Sequence, residues 1–411
     1  MKCATAVLLL IWRTVSPAEA ELAGEDRVHL TKMTGHLYRI TAVSGFEVNF
    51  VASIGPDGIL LVDTRFKDTA AELKDKLHAL GQRDVKFVIN THAHVDHTGG
   101  NRFFGQQAVV ISHPALRGKI QKGRYILDEN PDQALLELTL SDSLNIHFNG
   151  EEIPLLALPG SHDNDDLLVH FTKSKVVYMG DLAYGMHYPT YDTDTGDAAK
   201  YAEIVGRALE FLPDDVLIVS GHGKDCTIPE MREFQAMLSE TTRIVVEALE
   251  SGRSTEEIEV ASLGKWANYA GEYQDAAGWI RALAGSVKKR GKPSVDLIAP
   301  MYLARKADGI GAAIARFNSI LNASPGDYHL DLYIFGKYLV DQEAWNDAAE
   351  IFALANSAHP DNPYVWLFWF LQAEAHLAAG DSQSAREKYQ RCLELKPDYA
   401  KAKTRLVELT G

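Results

Sequence analysis

The sequence predicts an α/β domain followed by an all-α region, and three observations carry that reading. Between residues 36 and 230, apolar runs bounded by turn residues alternate with helical stripes, and His and Asp residues cluster directly after several of those runs. Past residue 227 the chain turns helical, and past residue 309 it repeats itself. An order of strand, helix, strand and polar loop is the α/β arrangement in which sites form at strand ends. The 411 residues exceed one ordinary core, and 46% apolar with 24% charged content is that of a soluble globular protein. A formal charge of -15 disfavours a nucleic-acid partner, whose phosphates are held by basic surface.

Met1-Lys2 precedes a short apolar run, and Pro17-Ala18-Glu19-Ala20 supplies small residues at a cleavage position, so residues 1–20 read as a secretory signal and the mature chain as periplasmic or secreted. No segment offers the roughly 20 apolar residues of a transmembrane helix. Outside that leader only Cys226 and Cys392 remain, far apart, which predicts no disulfide framework.

Strands are expected at 37–40, 49–54 and 58–63, with Pro56-Asp57-Gly58 as turn chemistry. Thr69 to Glu72 has the form of a capping box, Leu73, Leu77 and Leu80 form one helical stripe, and Gly81 is the stop. The run 85–89 reads as a buried strand delivering a loop, and a helix from Asn101 and a strand at 108–112 follow. His113, which no motif claims, is taken as structural. Residues 118–145 are polar with weak periodicity, as expected of a substrate-facing loop.

That delivered loop, residues 91–100, packs four potential metal ligands into six residues: His92, His94, Asp96 and His97. Imidazole and carboxylate are the donors that zinc and related divalent ions accept. His92 and His94 are two apart and point the same way in an extended segment, unlike the i, i+4 pair of a helical zinc site. Downstream, three more candidates each follow an apolar strand or turn: His162 after Leu158-Pro159-Gly160-Ser161, Asp181 after Val176 to Gly180, and His222 after Val216 to Gly221.

The run H-x-H-x-D-H followed by Gly99-Gly100, with those three residues in order, resembles the signature of the metallo-β-lactamase superfamily over about residues 30 to 230. The resemblance implies an αββα sandwich with two zinc ions per chain. His92, His94 and His162 would hold one, Asp96, His97 and His222 the other, and Asp181 would bridge them. A hydroxide shared by the metals would attack an electrophilic centre, with Asp96 as the catalytic residue that orients it. Asp63 resembles the acid that orients the ligand loop. The Gly180-Asp181 pair before Leu182-Ala183-Tyr184 resembles the glyoxalase II-like, lactonase and phosphodiesterase branches, and no Cys lies between His97 and His222 to make a thiolate site. The implied function is hydrolysis of a small-molecule ester, thioester or lactone. A β-lactamase of the all-His/Asp type is the alternative, and a scaffold acting through the C-terminal helices is the alternative of another class. Asp166 either orients a ligand imidazole or starts the strand 167–171. Tyr188 and Tyr191 either donate to an oxyanion or pack beneath a loop.

The division expected is a catalytic domain at 21–230, a helical extension at 231–308 and repeats at 309–411. In the extension Trp266, Tyr269, Tyr273 and Trp279 are placed to cover the catalytic domain or its mouth. In the last region Ala313, Phe317 and Pro325 recur as Ala348, Phe352 and Pro360 and again as Ala385, Tyr389 and Pro397. This resembles the tetratricopeptide repeat, with Gly336 and Ala373 at the small positions of first helices and Pro300 disrupting the first of them. So short an array cannot bury its faces alone, and should dock on the catalytic domain, on a second copy as a homo-oligomer or on a protein partner.

Overall fold

Apolar runs with no polar alternation need cover on both faces, and three strands buried along their whole length, Gly58–Val62, Leu167–Phe171 and Val176–Tyr178, are each interior to a sheet. The computed structural model describes residues 27–44, 46–81, 83–121, 136–271, 274–289, 297–324, 328–360, 362 and 364–409. The proposed leader, Tyr273 and Pro325 lie outside them.

The first sheet has the order β1 (Val28–Thr34), β2 (Leu37–Ser44), β3 (Phe46–Gly55), β4 (Gly58–Val62), β5 (Val85–Ile89), β6 (Val109–Ser112), β7 (Leu138–Thr139). Its first half is an antiparallel meander, and β4 to β7 are parallel. Helix α1 (Lys67–Gly81) crosses between β4 and β5. The second sheet runs β8 (Ser143–Phe148), β9 (Glu151–Ala157), β10 (Leu167–Phe171), β11 (Val176–Tyr178), β12 (Leu217–Val219), β13 (Cys226–Thr227) in space from one edge to the other, with only β11 and β12 parallel. Apolar residues of both sheets, including Phe50, Leu61, Val88, Leu155 and Val169, form one buried core. A second core lies under α5 (Tyr201–Phe211), α6 (Ile228–Glu250) and α7 (Ala276–Lys289).

The helical region continues as α8 (Ile298–Asp308), α9 (Ile310–Ala323), α10 (His329–Asp341), α11 (Trp345–Ala358), α12 (Val365–Ala378), α13 (Ser382–Leu395) and α14 (Ala400–Glu408). From α10 onward each helix packs on the next, and Leu332, Phe335, Phe317 and Phe352 belong to the same buried core as the first sheet. Gly336 makes one crossing possible: a Cβ there would stand 2.3 Å from a ring carbon of Phe352 on α11. Among the described residues no helix is long and apolar enough to cross a membrane.

Several local expectations are corrected. Leu80 is 46% exposed while Leu73 and Leu77 are buried, so the apolar stripe stops short of the last turn of α1. The capping box does not form: α1 begins at Lys67, Thr69 bonds the Phe66 carbonyl, and Glu72 Oε1 accepts the N–H groups of Arg27 and Val28. Of the expected loop 118–145, residues 122–135 lie outside the described residues; among the described ones, 118–121 belong to a helix, α4 (Pro114–Gln121), and 138–139 and 143–148 to strands. Pro300 does not abolish its helix, because it sits in the first turn of α8, where the missing N–H has no intrahelical partner.

Candidate metal centre

Four loops at strand ends converge on one buried space. The loop after β5 begins as an extended segment carrying His92 and His94, then turns into the single helical turn α2 (Val95–Thr98), which presents Asp96 and His97. His162 stands between β9 and β10, Asp181 in the 3-10 turn Gly180–Leu182 after β11, and His222 after β12. All seven candidates read from the sequence meet here, in two groups: His92, His94, His162 and Asp181; and Asp96, His97 and His222. The imidazoles are buried, and only the Asp96 side chain keeps 12% exposure, toward solvent.

Asp181 joins the groups. Its Oδ2 is 3.5 Å from His162 Nε2, 3.3 Å from His222 Nε2 and 3.9 Å from His92 Nε2, and its Oδ1 is 3.3 Å from His97 Nε2. Asp96 Oδ2 lies 3.3 Å from His222 Nε2 and 3.7 Å from His97 Nε2. Glycine makes this approach possible: a Cβ on Gly221 would fall 2.3 Å from Asp181 Oδ1.

The opposite nitrogen of each ring meets a fixed group. His97 Nδ1 is 2.7 Å from Asp63 Oδ2, His162 Nδ1 is 2.9 Å from the Thr190 carbonyl, His222 Nδ1 is 3.1 Å from the Glu47 carbonyl and His92 Nδ1 is 3.2 Å from Thr91 Oγ1. His94 is reversed, with Nδ1 inward, 3.2 Å from His162 Nε2, and Nε2 outward toward Asp163 and Asp192. An outer acceptor fixes the tautomer and leaves the inner nitrogen a lone pair, as in metal-ligating histidines. His92 Nε2 is buried without a hydrogen-bond partner, a costly state unless a cation takes the lone pair. The donor set fits a divalent metal pair.

Burial pushes the His162 imidazole down to about 4 despite nearby Asp181, and burial together with His97 and His162 lowers His92 well below the usual range. Burial would lower His222 as well, but the carboxylates of Asp181 and Asp96 outweigh it and raise the ring to about 9. Burial alone would raise the Asp96 carboxyl, whereas the His97 and His222 imidazoles bring it below the usual carboxylate range.

Residues 46–222 match the family model described as Metallo-beta-lactamase superfamily. The chain carries a metallo-beta-lactamase superfamily domain. Members of this superfamily are metal-dependent hydrolases. An uncharacterized protein of Aquifex aeolicus is 24% identical over 184 residues, covering 42% of this chain and 84% of its own length. Hydroxyacylglutathione hydrolase GloC of Haemophilus influenzae is 24% identical over 168 residues, covering 38% of this chain and 77% of that protein. Among solved structures, the metallo-beta-lactamase from Pontibacter korlensis matches with a TM-score of 0.45 and 18% identity, over 51% of this chain and 98% of its own.

Four further residues of the metallo-beta-lactamase domain take structural roles. Asp166 does not reach a ligand ring; its Oδ2 accepts the Asp163 N–H at 2.8 Å as β10 begins. Tyr188 and Tyr191 are spent on packing, their hydroxyls donating to the carbonyls of Trp266 and Ala282, and Tyr188 stacks on Trp279. The helical extension thereby clamps the loop that carries Thr190 and Asp192. His113 Nδ1 accepts the Ala115 N–H at the start of α4, a structural role. Lys119, Asp163 and Asp192 form a charged group behind His94; a buried lysine three residues from a buried leucine has no signature in sequence.

Proposed function

We propose that this chain is an exported hydrolase that uses two zinc ions to cleave a carbonyl ester, thioester or lactone. The observation that carries the reading is the Asp181 carboxylate, whose two oxygens lie 3.3 to 3.9 Å from imidazole nitrogens of both groups. His92, His94 and His162 would hold one ion, Asp96, His97 and His222 the other, with Asp181 between them. Five imidazoles with two carboxylates and no thiolate suit zinc. When bound, such a pair supplies Lewis acidity and a nucleophilic water at neutral pH. Asp96 is held ionised at the solvent-facing side of the centre, where it can accept a proton from an attacking water and hold its orientation. Burial of the five rings keeps bulk water from their inner nitrogens.

The thioester arm is supported by the relative whose name is hydroxyacylglutathione hydrolase. The helices from α8 to α14 are proposed to be tetratricopeptide-like, with Gly336 against Phe352 as the small-to-large crossing such repeats use. Export is proposed on Met1-Lys2, the apolar run and Ala20, and a reporter fused after Glu25 should become active outside the cytoplasm of a bacterial host. The test of activity is one panel, containing lactones, a glutathione thioester, a cephalosporin and a phosphodiester, run on the wild type and on Asp181→Ala. Metal-dependent turnover is expected to be greatest on an ester, thioester or lactone and to fall with Asp181→Ala. Dominant cephalosporin turnover surviving that substitution would establish the β-lactamase reading instead.

A further inference from the structure

His94 turns its outer nitrogen toward two carboxylates. Its Nε2 lies 4.0 Å from Asp163 Oδ2 and 3.9 Å from Asp192 Oδ2, and both acids are buried. A third buried acid, Asp165, takes the Ala93 N–H on its Oδ1 at 3.3 Å. Three carboxylates this close repel one another unless a cation stands among them. The cation is part of the chain: Lys119 on α4 is 6% exposed, its ammonium donates to Asp163 Oδ1 and lies 3.0 Å from Asp165 Oδ2. Thr195 Oγ1 also donates to Asp163 Oδ1, and Asp192 Oδ1 accepts the N–H groups of Asp194 and Thr195 at 2.7 and 2.8 Å.

We infer that Lys119 is a positioning residue for the first metal: its buried ammonium holds Asp163 and Asp165 in place, so that Asp163 and Asp192 fix His94 with Nδ1 turned inward. Helix α4, the loop between β9 and β10, the loop following Asp181 and the ligand loop each contribute one wall, and all converge on the outer edge of one ring. His94, Asp163 and Asp192 could by spacing hold a cation themselves. The Lys119 ammonium on Asp163 already supplies that positive charge. The other group has a separate support, since His97 rests on Asp63 and His222 on the Glu47 carbonyl. Loss of Lys119 should therefore weaken one metal and spare the other.

This inference rests on the proposed metal centre, and the experiment separates the two. Full-length metal-free wild type, Lys119→Met, Lys119→Arg and Asp192→Asn are titrated with Zn2+ against a chromophoric chelator, with circular dichroism recording the fold. Two equivalents should bind the wild type. Lys119→Met and Asp192→Asn should each weaken one equivalent about 10- to 100-fold, the range seen when a partner of a ligating histidine is lost, and leave the other unchanged. Lys119→Arg, which keeps the charge, should recover most of the loss. Should Lys119→Met fail to fold, Asp192→Asn still decides, because Lys119 keeps Asp163 and Asp165. Both equivalents binding these variants as tightly as wild type, both weakening alike, or a third equivalent gained by Lys119→Met, would overturn the inference. No metal on the wild type would instead remove the centre itself.

Discussion

Asp63 Oδ2 stands 2.7 Å from Nδ1 of His97, and this contact decides which nitrogen of the ring enters the metal centre. The same carboxylate accepts the Thr91 N–H and hydroxyl, both at 2.8 Å, and the Tyr178 hydroxyl at 3.0 Å. One acid thus ties β4, the first residue of the ligand loop and β11 to a single ring. Its backbone pays for the position with φ 64°, a conformation that non-glycine residues hold only where the surroundings enforce it.

Asp63→Ala should therefore act on metal affinity before it acts on anything else. A loss of about 10- to 100-fold is expected for the ion held with His97. Chelator competition on purified protein measures it, and wild-type affinity in that variant would mean that packing alone holds the ring.

Gly221→Ala tests the approach of the chain behind the bridging carboxylate. The added methyl would meet Asp181 Oδ1 at 2.3 Å and the Gly180 carbonyl carbon at 3.0 Å, so one of these must move. A stability cost of about 1–3 kcal/mol, typical of overpacking, is expected together with loss of at least one metal equivalent. Denaturant melts and metal analysis provide the readout, and two retained equivalents would refute the clash.

Much of this centre was legible because its inner donors are side chains placed after strands. His92, His94, Asp96 and His97 fall within six residues, and His162, Asp181 and His222 each follow an apolar strand or its closing turn. The outer supports were mostly illegible. The carbonyls of Thr190 and Glu47 belong to the backbone and leave no mark in residue identity. Lys119 is a surface residue type buried by its partners, and Asp192 lies 30 residues past the ligand that its loop partner Thr190 supports. Among the helices, Leu80 and Pro300 show that a periodic stripe or a breaker locates an element but not where its last turn reaches or where its first begins.

The pH dependence of the metal-free protein should oppose that of metal uptake. His222 holds its proton up to about pH 9 in the folded chain, against about 6.5 for a free imidazole, because Asp181 and Asp96 outweigh burial. A folded pKa raised above the unfolded one stabilises the metal-free fold fully below about pH 6.5, and that contribution is lost as pH rises through about 9. Metal ions need the neutral ring, so their apparent affinity should rise across the same window as uptake displaces the proton. Melting curves of the metal-free protein from pH 6 to 10, and calorimetric metal titrations in buffers of different protonation enthalpy, test both signs. Metal uptake that releases no proton at pH 7.5 would contradict the assignment.

The C-terminal helices make the last prediction, because they share the core of the first sheet. Leu332, Phe335 and Leu339 on α10 are fully buried in that core, and Lys337 of the same helix places its ammonium 5.5 Å from the ring centroid of Phe66, three residues past Asp63. Removing residues 309–411 should expose this apolar surface, lower the unfolding midpoint and raise binding of a hydrophobic dye. Leu332→Ala alone should cost about 2–5 kcal/mol, as for other buried leucines. None of the seven ligand-type residues lies past His222, so truncated protein that stays folded should still take up metal. An unchanged midpoint after truncation would show that the helices only lean on the sheet. A lost metal centre in a folded remnant would show instead that α10 holds the Asp63 corner in place.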